Sequence, residues 1–89
     1  MKAIITVMGK DQVGILAKIS TICANYNSNV LEVNQNIVNN LFSMIMIVDI
    51  NNINSSLKEF KEELENIGKK LGMKIHVMHE DIFNSMHKI

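Results

Sequence analysis

The chain contains no arginine: its nine basic side chains are all lysine, balanced by nine acids to a formal net charge of zero. A neutral surface argues against nucleic acid as a partner, because its binders carry a basic footprint. Without arginine there is also no planar fork to grip carboxylates or phosphates bidentately. Cysteine occurs once, at Cys23, so no internal disulfide forms. Cys23 falls on the apolar stripe of a predicted helix, with no His/Asp arrangement to activate it, and reads as a buried thiol. No apolar run approaches the ~20 residues of a membrane-spanning helix. The apolar part of "MKAIITVMG" is too short for a signal peptide. The expected location is cytoplasmic, with no membrane partner. Catalytic signatures are missing too: no nucleophile–base pair, paired-carboxylate motif or phosphate loop. The chain is therefore not expected to be an enzyme, and no cofactor is expected.

What is present is a small, strongly patterned domain of 89 residues. A chain of this size buries only roughly two thirds of its unfolded surface, so dimerisation is a natural supplement to its stability. "KAIITVM" (2–8) is β-branched and apolar and predicts a buried strand ended by Gly9. Asp11 fits as the N-cap of a helix carrying Val13, Leu16, Ile19, Cys23 and Tyr26 on one face, widened by Ile15 and Ile22. "NYNSN" ends that helix, since asparagine tolerates left-handed geometry. "VLEVNQNIV" (30–38) alternates, with Leu31, Val33 and Ile37 opposite Glu32, Asn34 and Asn36, and predicts a strand with one wet face. Asn39-Asn40 then reads as a two-residue hairpin turn. "LFSMIMIVDI" (41–50) is apolar on both faces and predicts a central strand. Ser56 with Glu59 forms a capping box for a second helix through Leu57, Phe60, Leu64, Ile67 and Leu71, with Gly72 at its exit. A last strand follows at 73–79. Residues 81–89 form a short amphipathic tail, with Ile82, Phe83, Met86 and Ile89 at helical spacing, beyond a domain at 1–80.

The order βαββαβ with right-handed crossovers predicts a ferredoxin-like α+β fold: a four-stranded antiparallel sheet with both helices on one face. The second face of that sheet is left open. Phe42, Met44, Met46 and Val48 share one parity of the central strand, and Ile45 and Ile47 take the other. The open face thus calls for a covering segment or a second copy, and a homodimer is expected.

The fold hosts many functions, so the site must decide. An RNA-binding sheet needs strand aromatics for base stacking; here Phe42 is the only one. A soft-metal carrier needs paired cysteines in the first loop. An acyl-phosphate hydrolase of this fold would want an arginine in that loop. His76, His79 and Glu80 lie close in sequence, but the two histidines have opposite strand parity. No metal site is expected from them. His87 in the tail reads as a docking or subunit contact, and Met44, Met46 and Met78 as core or interface filler.

The segment "GKDQVGILAKISTICANYNSNVLEVNQ" (9–35) resembles the ACT domain, in which the first strand runs into an Asp-Arg-Pro-Gly-like loop and an asparagine opens the second strand. Here Gln12 and Val13 stand in place of arginine and proline. The "GKD-x-x-GI" loop and the ending "IF-x-x-MH-x-I" together resemble the small stand-alone ACT-domain proteins called UPF0237. The resemblance implies a regulatory module that binds a small ligand, usually an amino acid, at a homodimer interface, and that acts through assembly or a partner protein. Carried over by position, it marks Gly9, Lys10, Asp11, Gln12, Val13, Gly14 and Asn29. The chemistry suits a zwitterion. Asp11 accepts from an ammonium, an asparagine amide both donates and accepts, and helix-start N–H groups favour a carboxylate. Each residue also has a plainer reading: Asp11 as a cap, Gly14 for helix–sheet packing, Asn29 as a turn residue, Lys10 as a solvated lysine. The alternative function is a structural or protein-interaction module without a ligand site.

Overall fold

The structure, a computed structural model, describes residues 1–86. Strand β1 (Lys2–Lys10) leads through a loop into helix α1 (Ile15–Asn25). A hairpin of β2 (Asn29–Val38) and β3 (Leu41–Asp49) follows, then α2 (Leu57–Leu71), β4 (Lys74–His79) and a short α3 (Glu80–Met86). The sheet order is β2-β3-β1-β4, with every pairing antiparallel. This is the expected ferredoxin-like plan, with α3 added.

Local signals behave as their chemistry requires. Asn39 and Asn40 both take positive φ, 50° and 67°, as a tight hairpin turn needs to match strand twist. Helix α1 exits through Asn27 at φ 58°, with the Ser28 N–H donating to the Cys23 carbonyl. Helix α2 starts at Ser56, whose hydroxyl accepts from the Glu59 N–H at 3.1 Å. It ends at Gly72 in a left-handed turn closed by Met73 N–H on the Gly68 carbonyl.

The core lies between the sheet and α1 and α2. Ala3, Ile5 and Val7 of β1 pack beside Phe42, Met44, Met46 and Val48 of β3 and Ile75 and Val77 of β4. Ile15, Ile19, Cys23, Phe60 and Leu64 cover them from the helices. The parity predicted for β3 holds along its length. Three expectations do not hold. Val13 is 98% exposed; the helix begins only at Ile15, so Val13 sits on the loop instead of the buried stripe. Asp11 is not the N-cap: Gly14 holds that position at φ 86°, and no side chain caps α1. And β2 is wet on both faces beyond Val30, which packs against the core: Leu31, Val33 and Ile37 are 40–53% exposed.

On the open face, α3 covers one end only. Ile4 beneath it is buried, while Met8, further along the same strand face, is 52% exposed. The tail docks through Phe83, which is half-buried, whereas Ile82 and Met86 stay exposed. His87 and Ile89 lie outside the described residues.

Gly68 carries packing the sequence pattern does not reveal. A Cβ on Gly68 would lie 2.9 Å from both the Met73 carbonyl oxygen and Ile75 Cγ1; this is where α2 touches β4. Alanine would gain about 1 kcal/mol of helix propensity, but the backbone contact wins. We expect Gly68→Ala to lower stability by roughly 1–3 kcal/mol, read as a fall in denaturation midpoint; a rise would contradict the packing. Burial pushes the Cys23 thiol up from 9.0 to about 11. The unfolded chain therefore ionises first, and the thiol's contribution to stability is lost as pH rises through that window. Alkylation of Cys23 near pH 8 should be negligible until denaturant unfolds the chain.

Candidate functional site

The loop between β1 and α1 is built on fixed supports. The Asp11 N–H donates to the Asn40 carbonyl at 2.8 Å, tying the loop to the β2–β3 hairpin. The Gln12 side-chain amide donates to the Leu71 carbonyl at 2.8 Å, tying it to the end of α2. Gly9 permits a third contact, since a Cβ there would meet Met73 Sδ at 2.6 Å. Gly9 and Gln12 are thus committed to holding the loop, and strand β1 runs on past Gly9 to Lys10.

The remaining loop groups are available. With Asp11 released from capping, its carboxylate is uncommitted, and no side chain caps the first turn of α1. Among the described residues, the side chains of Lys10, Asp11 and Asn29 have no hydrogen-bond or ion-pair partner. Nothing lies within 4 Å of a Cβ placed on Gly14, so this glycine serves its positive φ and leaves open space above it; it does not serve helix–sheet packing.

Asn29 opens β2 as expected, but it is not near the loop. It pairs with Asp49, which also pairs with Lys2. The loop leaves from Lys10, whose partner Leu41 pairs with Val38. The two halves sit at opposite ends of the sheet, about 26 Å apart at strand rise. Asn29 instead lines a cleft of about 430 Å³ with Ser20, Ala24, Asn27, Ser28 and Val30, between α1 and the outer strand. Ser20 and Ala24 escaped the sequence reading. The available signal was their i, i+4 spacing, two small residues on one side of α1.

Comparison with known proteins bears on this geometry. The family model for the ACT domain matches residues 2–78. A UPF0237 protein of Methanocaldococcus jannaschii is 46% identical over 99% of this chain and 98% of its own. This chain belongs to the ACT-domain family, among the UPF0237 proteins. A UPF0237 protein of Clostridium acetobutylicum is 47% identical over the full length of both chains. An ACT domain protein from Streptococcus pneumoniae superposes with TM-score 0.80 at 34% identity, covering 93% of each chain. A formyltetrahydrofolate deformylase from Pseudomonas syringae shares the fold at TM-score 0.79 and 23% identity, but over only 27% of that enzyme. ACT domains are regulatory ligand-binding modules, and the deformylase likeness covers only the ACT part. No described helix of this ACT domain is long and apolar enough to cross a membrane.

The supports and the available groups should separate by mutation. Gln12→Ala should cost about 1 kcal/mol through loss of its hydrogen bond to Leu71. Val13→Ala should stay within about 0.5 kcal/mol, as exposed positions do. Thermal denaturation of both variants checks the contrast; equal effects would refute it.

Proposed function

We propose that this ACT domain is a cytoplasmic homodimeric sensor that binds a free amino acid between subunits. Each site takes Lys10, Asp11, Val13 and Gly14 from one copy and Asn29 from the other, with Gly9 and Gln12 as the loop's supports. The observation that carries the reading is Asp11. Expected to cap α1, it leaves the helix uncapped. The Asp11 carboxylate, free of any capping bond, thus precedes a helix start that no side chain caps. An ammonium suits the first and a carboxylate the second.

The distance between Asn29 and the loop supports a shared site. Strand β2 is one edge of the sheet, and the longer of the two, β4 being the other. Antiparallel pairing of two β2 edges about a two-fold axis would bring the partner's start of β2 to the hairpin end of this chain. That end carries the Asn40 carbonyl holding Asp11. The ligand would bridge the copies, and binding would shift the balance between dimer or partner-bound states by its preference for one of them.

Light scattering at micromolar concentration should give a dimer; a stable monomer refutes the arrangement. A thermal-shift screen of the twenty amino acids should find one or a few that stabilise. The gain should be roughly 2.7 kcal/mol at a hundredfold excess over Kd, and Asp11→Ala and Asn29→Ala should abolish it. No stabilisation of a proven dimer by any of them favours the interaction-module reading. Gln12 and Gly9, both occupied by internal contacts, would then be the loop's whole purpose.

A further inference from the structure

The open face of the sheet carries a second cleft, unrelated to the loop. Three cross-strand rows build it, set by register: Ser43–Met8–Lys74, Ile45–Thr6–His76 and Ile47–Ile4–Met78. One part, of about 260 Å³, is lined by Thr6, Met8, Ser43, Ile45, Lys74 and His76. An adjoining part of about 260 Å³ runs under α3, with Ile4, Met78 and Phe83 added to the shared Thr6, Ile45 and His76. The α3 helix supplies its end wall, and beneath that wall Ile4 is buried.

The lining is apolar for most of its length and polar at one end. Among the described residues, Lys74 is the only fixed charge lining either part, and no carboxylate lines them. Among the described residues, the side chains of Thr6, Ser43, Lys74 and His76 have no hydrogen-bond partner. Exposed acids nearby lie off the cleft: Glu32 on the outer strand opposite Ile47, and Asp81 beside His79. From Lys74 to Met78 the strand advances about 13 Å.

The geometry points to a second ligand site here, for a free medium-chain alkanoate, its carboxylate on Lys74 with the Ser43 and Thr6 hydroxyls and its chain along Ile45 toward Ile4, Met78 and Phe83. Charge complementarity selects the class. One lysine among hydroxyls neutralises a single carboxylate, and the apolar remainder of the cleft removes a hydrocarbon chain from water at roughly 0.8 kcal/mol per buried methylene. A zwitterion fits less well, because no carboxylate among the described lining residues balances its ammonium.

The probe is decanoate, titrated below its micelle concentration into the full-length protein and followed by amide and methyl NMR. Saturable shifts are expected at Thr6, Ile45, His76 and Phe83, with none at Asp11 or Asn29. Decanol and decylamine should bind at least about tenfold more weakly, as should the variant Lys74→Glu. Ile45→Lys, at an already exposed position, should fold normally and also lose binding. Equal binding of decanol would overturn the proposal, reducing the cleft to an apolar patch. So would unchanged affinity in Lys74→Glu shown folded by its melting curve. Shifts that appear only with decanoyl-lipid vesicles would indicate a membrane surface instead of a free acid. Concentration-dependent protection of Thr6 and Ile45 without ligand would indicate a second copy on this face. Either outcome contradicts it.

Discussion

The ten-residue edge strand β2 is the constraint around which the rest of the molecule is arranged. Its outer edge presents unpaired N–H and C=O groups, and beyond Val30 both of its faces are wet. Edge strands of this length invite pairing with another chain unless something blunts them. Glu32 and the bulge between Val30 and Glu32 interrupt its regularity, but they neither cover it nor shorten it. The exposed Leu31, Val33 and Ile37 add apolar area on the same strand. A small domain with limited burial gains most by closing such an edge against its own copy. The same edge also decides where a shared site would form, because it fixes which end of one chain meets which end of the other.

Much of the fold was legible because its signals are local and redundant. Phe42, Met44, Met46 and Val48 fix one face of β3 by alternation alone. Ser56, Gly72 and the Asn39-Asn40 pair mark their turns by backbone chemistry that few other residues supply. The start of α1 was misplaced for an equally physical reason. Asp11 is a good cap by type and Val13 is apolar at helical spacing, yet the hydrogen bond from the Asp11 N–H to Asn40 holds the chain in a loop until Gly14. That bond joins residues far apart in sequence, so no local pattern reports it. The contact of Gln12 with Leu71 is hidden in the same way.

For the candidate site, the sequence supplied residues and the structure sorted them. Gly9 and Gln12 hold the loop; Asp11, Gly14 and Lys10 are the groups that loop displays. Asn29 could only be placed once strand register was known, and register puts it at the far end of the sheet. The open face shows the complementary lesson. Alternation predicted an uncovered apolar surface, but only the position of α3 reveals that half of it is roofed and half is a cleft. Thr6 and Ser43, each a hydroxyl within an apolar strand, together with Lys74 and His76 on the last strand, are the local signs of polarity there.

A split site makes a sharp demand on mixtures. Asp11→Ala and Asn29→Ala homodimers each lack one half of every site, whereas a hybrid of the two variants contains one site with both halves intact. Unfolding the two variants together and refolding them as a mixture should therefore restore binding of the stabilising amino acid to the hybrid dimers, measured by calorimetry on the isolated hybrid. Restoration at one site per hybrid dimer is the predicted result. A hybrid as inert as either parent would contradict a site shared between copies.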